Sequence, residues 1–298
     1  MLQEIREVFN PANFTVIWQQ ISTAGIGTIF LTLLVPVIIA AILLYSNRNN
    51  LQPWYLILIA CLSGILTVSG SYVLNIFAAQ TMGWSMPDVP SQIYLNFDAM
   101  FGVSLVEEAL KIIVIALLIR GNKKCHAPYD GVIYGALVGL SFAVIENLMP
   151  GYANNFLRNL TSVPMHLSVG IIAGYFLSIA SINKDEKKKR VQEYAIFFVP
   201  ALIHGVYNGL LINTNYLIII FPATQILILM TVFTLIVFIY FIIFRILTKT
   251  YQLNQIYLNN GEYPPKYNLY TFDELFGEDL QAIIGESTEV EDENNKFV

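Results

Sequence analysis

The sequence predicts an all-α, polytopic transmembrane helical bundle of about seven spans, with an N-terminal interfacial helix and a cytoplasmic acidic tail. Three observations carry that prediction. First, the chain of 298 residues is 56% hydrophobic and only 12% charged, whereas soluble domains carry roughly 25% charged residues. Second, its apolar residues come in long runs, several reaching the length of about 20 that crosses the hydrocarbon core. Third, its basic residues are confined to alternate loops between those runs, the pattern that sets membrane orientation.

Residues 1–25 form the first element, an amphipathic segment with Leu2, Ile5, Val8, Phe9, Ile17, Trp18 and Ile21 among polar neighbours and a break near Pro11. Such a pattern lies in the interface rather than crossing it. It lacks a basic start followed by an apolar core, so it does not read as a cleaved leader. Spans are then expected at about Ile26–Tyr45, Tyr55–Ala79, Ala99–Ile119, Tyr129–Met149, Val163–Ile182, Val191–Ile212 and Tyr216–Phe244. Together, residues 26–248 make the membrane domain. The remainder, 249–298, reads as a partly disordered cytoplasmic tail, and ten of the chain's 21 acidic residues lie from Glu262 onward.

Loops fix the expected orientation. Arg48 follows span one, Arg120, Lys123 and Lys124 follow span three, and Lys184, Lys187, Lys188, Lys189 and Arg190 follow span five. Arg245 and Lys249 follow span seven, while the opposite loops between spans hold a single basic residue, Arg158. By the positive-inside rule the N-terminus is outside and the C-terminus cytoplasmic. A chain so arranged sits in the cell membrane as a multi-pass protein. It has no basic face for nucleic acid, and its two cysteines, Cys61 and Cys125, form no CxxC metal motif.

Ionisable residues inside a bilayer cost roughly 2.5–3.5 kcal/mol each on insertion scales and mark functional sites by default. Span three holds Glu107, Glu108 and Lys111; span four ends in Glu146 and Asn147; span five opens with His166; span six carries His204 and Asn208. Counting along each helix at 1.5 Å per residue sets Glu107, Glu108 and His204 roughly 12 Å below the outer surface. Glu146 and His166 come about one turn below it. Four helices thus put polar groups in the outer half of the membrane, which predicts a shared hydrated cavity there.

The chemistry of that set suits hydrolysis. Lys111 lies three and four residues after Glu108 and Glu107 and can neutralise either. Adjacent glutamates diverge by about 100°, so one can face the cavity while the other pairs; the sequence leaves open which. A buried glutamate can act as base on a water, with His166, His204 and Asn208 stabilising an oxyanion. Equally, His166, His204 and Glu146 supply a ligand set for zinc, with Glu107 or Glu108 as base. A proton- or cation-coupled transporter uses similar residues but would place them on both sides of the midplane. A non-catalytic sensor or scaffold would make the tail the working part. Two features read as packing: the Gly131, Gly135, Gly139 stripe and the Gly170, Gly174 pair.

The motifs resemble those of the PrsW family of intramembrane proteases. The matching pieces lie within residues 100–208: Glu107-Glu108-Ala109-Leu110-Lys111, Phe142 to Asn147, Arg158 with His166, and His204-Gly205-Val206-Tyr207-Asn208. That family is related to the CAAX prenyl protease and bacteriocin-processing superfamily, whose EExxxR and FxxxH motifs are replaced here by EExxK and FxxxE. The resemblance implies a glutamate-activated water, with Lys111, Asn147 and Arg158 in support. It also implies a membrane-embedded protein substrate, a single-span protein like an anti-sigma factor, cut near the extracytoplasmic side.

Overall fold

The computed structural model describes residues 30–48, 51–81, 98–120, 128–149, 156–182, 185–220 and 222–260. The interfacial segment expected over 1–25 and the tail beyond Asn260 lie outside these residues. Among the described residues the fold is all-helical, as membrane physics requires. Backbone groups in hydrocarbon find no water and must bond within their own segment.

The described residues hold seven α-helices: α1 (Val35–Ser46), α2 (Trp54–Thr81), α3 (Ser104–Arg120), α4 (Pro128–Leu148), α5 (Phe156–Ile182), α6 (Glu186–Ile220) and α7 (Pro222–Asn260). Short π-helical turns at Phe30–Leu34 and Asp98–Val103 lead into α1 and α3. Within the described residues each expected span overlaps one of these helices, and the seventh, Tyr216–Phe244, straddles the break between α6 and α7. Among the described residues, five segments are long and apolar enough to cross a membrane: Trp54–Asn75, Pro128–Leu148, Leu160–Ala180, Glu186–Leu211 and Ile226–Ile256. Proline starts α4 and α7, where a missing N–H costs nothing. Pro164 and Pro200 lie inside α5 and α6, a tolerated arrangement where neighbouring helices supply partners.

Two boundaries differ from expectation. Helix α6 continues to Ile220, past the Asn213-Thr214-Asn215 stretch read as a connection, and the break falls beside Pro222. Polar residues alone do not stop a helix, whereas proline removes a donor. At the other end α7 runs on to Asn260, well past the Phe244 expected to close the last span. Its 39 residues make roughly 58 Å of helix at 1.5 Å per residue, about twice the hydrocarbon thickness. Threonines on α7 satisfy themselves by bonding carbonyls one turn back, as Thr231, Thr234 and Thr248 do at 2.8 Å.

Helices α4 and α5 pack antiparallel at the centre. Glycine makes their approach possible: a methyl on Gly135 would collide with the Gly170 carbonyl, and one on Gly139 with the His166 carbonyl. This pair of stripes therefore sets the register that brings α5, and His166 on it, against α4. On the other side of α4, Gly64 of α2 meets Val138 and Ser141 in the same way. Since lipid tails are as apolar as leucine, such contact, with interhelical hydrogen bonds, holds the bundle together. Several of those bonds pin the end bearing Arg48 and Arg245: Tyr134 Oη to Gln52 Oε1 at 2.8 Å, Asn254 Nδ2 to Asn47 Oδ1 at 3.2 Å, and Ser46 Oγ with Tyr129 Oη at 2.6 Å.

Candidate active site

Helix α3 presents Glu107, Glu108 and Lys111 on successive positions of one face, and all three are buried. Glu108 Oε1 lies 2.7 Å from Lys111 Nζ and 2.7 Å from His204 Nδ1. Glu107 sits apart from this pairing, with Oε2 3.9 Å from Lys111 Nζ and 3.8 Å from His204 Nε2. Neither Glu107 Oε2 nor His204 Nε2 has a hydrogen-bond partner, although both are buried.

The second half of the site comes from α4 and α5. Glu146 accepts from Arg158 Nη2 at 2.6 Å through one oxygen and meets His166 Nε2 at 2.8 Å through the other. On its far side His166 Nδ1 lies 3.0 Å from Lys111 Nζ. The two halves therefore join at Lys111, in a continuous line from Arg158 through Glu146, His166, Lys111 and Glu108 to His204. Rings reinforce it: His166 and His204 meet edge-to-face at 4.9 Å between centroids, and the Lys111 ammonium lies 3.7 Å above the Phe142 ring.

Charge matching separates the three carboxylates. Buried ions are tolerated when paired and hydrogen-bonded. Glu108 has Lys111, and Glu146 has Arg158. Glu107 has only the more distant Lys111, at 3.9 Å, and its unbonded Oε2 faces an unbonded imidazole nitrogen; Glu108 Oε2 is also without a partner. The ambiguity between adjacent glutamates, open in the sequence, ends in two distinct environments.

Every residue singled out in spans three to six joins this centre or borders it. Asn208 lies one turn beyond His204 on α6 and donates to Ser104 Oγ at 3.2 Å. That bond and the Glu108–His204 contact are two successive rungs between α3 and α6. Ser104 was not anticipated; its signal is the spacing of three and four residues before Glu107 and Glu108, which puts it on their face. Likewise Thr161 and Tyr207 share a hydrogen bond of 2.8 Å that ties α5 to α6 beside Arg158. Asn147 is fully buried, and neither end of its amide has a partner.

Among the described residues, one group of candidate metal ligands is Glu107, His166 and His204, whose ligand atoms lie within 4.8 Å of one another. The set read from the sequence has Glu146 in place of Glu107; here Glu146 is occupied by Arg158 and His166. Each histidine also carries a carboxylate on one ring nitrogen, the arrangement that orients imidazoles in metal sites.

Fold and site define a class: polytopic helical membrane proteins with a carboxylate–imidazole centre buried between their spans. Comparison with known proteins supplies the family. The profile described as PrsW family intramembrane metalloprotease matches residues 52–243, and the chain belongs to that family. Among curated relatives, Protease PrsW of Oceanobacillus iheyensis is 36% identical over 118 residues, 38% of this chain and 54% of the relative. Protease PrsW of Bacillus subtilis is 32% identical over 120 residues, 39% of this chain and 54% of the relative. That of Clostridioides difficile is 29% identical over 129 residues, 40% of this chain and 52% of the relative. The matched segment thus spans about half the length of these relatives. No solved structure matches the chain.

Proposed function

We propose that this protein is an intramembrane peptidase that cuts a single-span membrane protein, anti-sigma-factor-like by family resemblance, with a water activated by Glu107. The observation that carries the reading is the gap between Glu107 Oε2 and His204 Nε2, two buried, unpartnered groups 3.8 Å apart. A water there donates one proton to Glu107 while its oxygen attacks the scissile carbonyl. Glu107 then delivers that proton to the leaving amine.

The remaining groups follow from their partners. With Nδ1–H given to Glu108, His204 turns Nε2 to the gap, and the carboxylate behind it stabilises the ring when it takes a proton. In the form that carries protons on both ring nitrogens before and after the cut, His204 donates through Nε2 to the oxyanion of the tetrahedral intermediate, and the Asn208 amide on the same face adds a second donor. His166 has Nε2 toward Glu146 and Nδ1 toward Lys111, so its role is to position rather than to donate. Lys111 and Arg158 balance the two carboxylates that do no proton transfer.

The family description names a metal, and the donor set fits one. Glu107, His166 and His204 would hold it, with Glu108 and Glu146 orienting the imidazoles; of the two histidines, His166 would have to release Lys111 from Nδ1. A bound zinc would supply an acidified water and polarise the carbonyl.

Orientation and span count belong to the same reading. Helices α1 and α3 complete seven spans with the five long ones, and the basic residues at Arg48, Arg120, Lys187–Arg190 and Arg245 face the cytoplasm. The site then opens toward the outer leaflet, residues 26–248 form the catalytic membrane domain, and 249–298 form its cytoplasmic extension. The decisive experiment is cleavage of a panel of single-span membrane proteins in liposomes by wild type, Glu107→Gln and Glu108→Gln, each with and without a chelator. Wild type should cut and Glu107→Gln should not. Cleavage surviving both substitutions would end this reading, and chelator sensitivity would decide for the metal. Proton-linked flux without cleavage would favour a transporter.

A further inference from the structure

Buried side-chain polar atoms nearly always have a partner, so a fully buried amide lacking one at both ends needs an explanation. Asn147 is such a residue, 0% exposed with Oδ1 and Nδ2 both unpartnered. Ser162, also 0% exposed, has an unpartnered Oγ. Both flank the line of charged groups without belonging to it. Asn147 follows Glu146 on the last turn of α4, and Ser162 stands one turn before His166 on α5.

Glycine contacts fix how these positions relate. Gly135 meets Gly170 and Gly139 meets His166, so each step of four residues forward on α4 is matched by four backward on α5. Ala143 then comes level with Ser162, and Asn147 level with Arg158. The two orphaned groups occupy adjacent turns of one interhelical seam, on the side from which Glu146 and Arg158 reach the centre.

We propose that Asn147 and Ser162 form a subsite for the extended backbone of the substrate; this rests on the peptidase reading. A transmembrane substrate must unwind before a base can reach its carbonyl, and each residue that unwinds exposes an N–H and a C=O. Hydrocarbon offers these groups nothing. A primary amide presents donors and an acceptor together, and a hydroxyl presents both on one atom, which is the complement of one peptide unit. Neither residue adds charge, so an ion gains little over the neighbouring Arg158 and Glu146. Asn147 is two helical turns from the level of His166, roughly 12 Å at 1.5 Å per residue. An extended chain covers that in about three or four residues at 3.3 Å each. The subsite therefore grips backbone three or four residues from the scissile bond, and it reads no side chain.

The test uses binding, measured apart from cleavage, in the Glu107→Gln background and in lipid nanodiscs. The probe is a fluorescent 25-residue leucine–alanine peptide with a central Gly-Gly, alongside versions N-methylated at one central backbone nitrogen at a time. Asn147→Leu should weaken binding by about 5–20-fold, the worth of one or two hydrogen bonds. Methylation at one position should cost a similar factor in the Asn147 protein and nothing further in Asn147→Leu. Asn147→Ser, which is uncharged and keeps one hydroxyl donor and acceptor in place of the amide, should give an intermediate loss of binding. Equal binding by all variants, a methylation penalty that persists in Asn147→Leu, or no binding of the probe would overturn the proposal. A lowered melting temperature with unchanged affinity would also overturn it, assigning the pair to a bridging water. Binding that follows the expected pattern while wild type cuts nothing would instead remove the peptidase reading and leave a peptide-binding membrane protein.

Discussion

Helices α4 and α7 are both long apolar spans, yet they solve opposite problems. In α4 and its partner α5, 78% and 89% of the span residues are buried inside the protein; in α7 and α2 the figures are 22% and 28%. The most apolar helix is thus among the least buried. In water the ranking would be reversed. Here lipid is the apolar solvent, so Phe233, Phe238 and Phe244 of α7 lie 60% or more exposed, while the interior collects glycine, serine, histidine and glutamate. Hydropathy finds the spans in such a protein, and departures from it find the site.

That contrast can be broken or sharpened by substitution. The largest effect is expected inside, at Lys111→Met. It strips Glu108 and His166 of their shared cation, and leaving a buried charge unpaired costs about 3–5 kcal/mol. Thermal unfolding in detergent should register the loss, and adding Glu108→Gln should recover part of it. Glu107→Gln is expected to lower the cleavage rate by on the order of 10²–10⁴ through loss of the base while leaving the melting temperature near wild type. A large fall in stability would instead make Glu107 a structural ion. Next comes Gly135→Leu, which forces α4 away from Gly170. Overpacking of this kind costs about 1–3 kcal/mol or more, and it should reduce activity along with stability by shifting His166. Ser104→Ala removes the Asn208 partner, worth about 1 kcal/mol, and is best read as a modest drop in kcat. On the lipid face, Phe233→Leu should stay within about 0.5 kcal/mol of wild type; a larger change would mean that this surface meets another protein.

The same contrast explains what the sequence could and could not disclose. The spans were legible because a bilayer demands long unbroken apolar runs, and the centre was legible because Glu107, Glu146, His166 and His204 violate that demand. Helix rotation about its axis leaves no such mark, so the different surroundings of Glu107 and Glu108 emerged only with the neighbours in place. The Glu146–Arg158 pair joins the end of α4 to the start of α5, and nothing in the spacing announces it. Ser104 was overlooked since a serine in a membrane helix can satisfy itself on its own backbone. The overrun of α7 to Asn260 was hidden for a related reason. Thr250 and Asn254 look like surface residues until Asn47 is seen to receive one of them.

The close seam between Gly131–Gly139 and Gly170–Gly174 has a bearing on bioenergetics. Backbone lies against backbone along that stretch, leaving no width for a file of water beneath the polar centre. Under the proposed function, water drawn to the centre to cut a peptide bond would find no path onward between α4 and α5, and the proton gradient of the surrounding membrane would not drain along this seam.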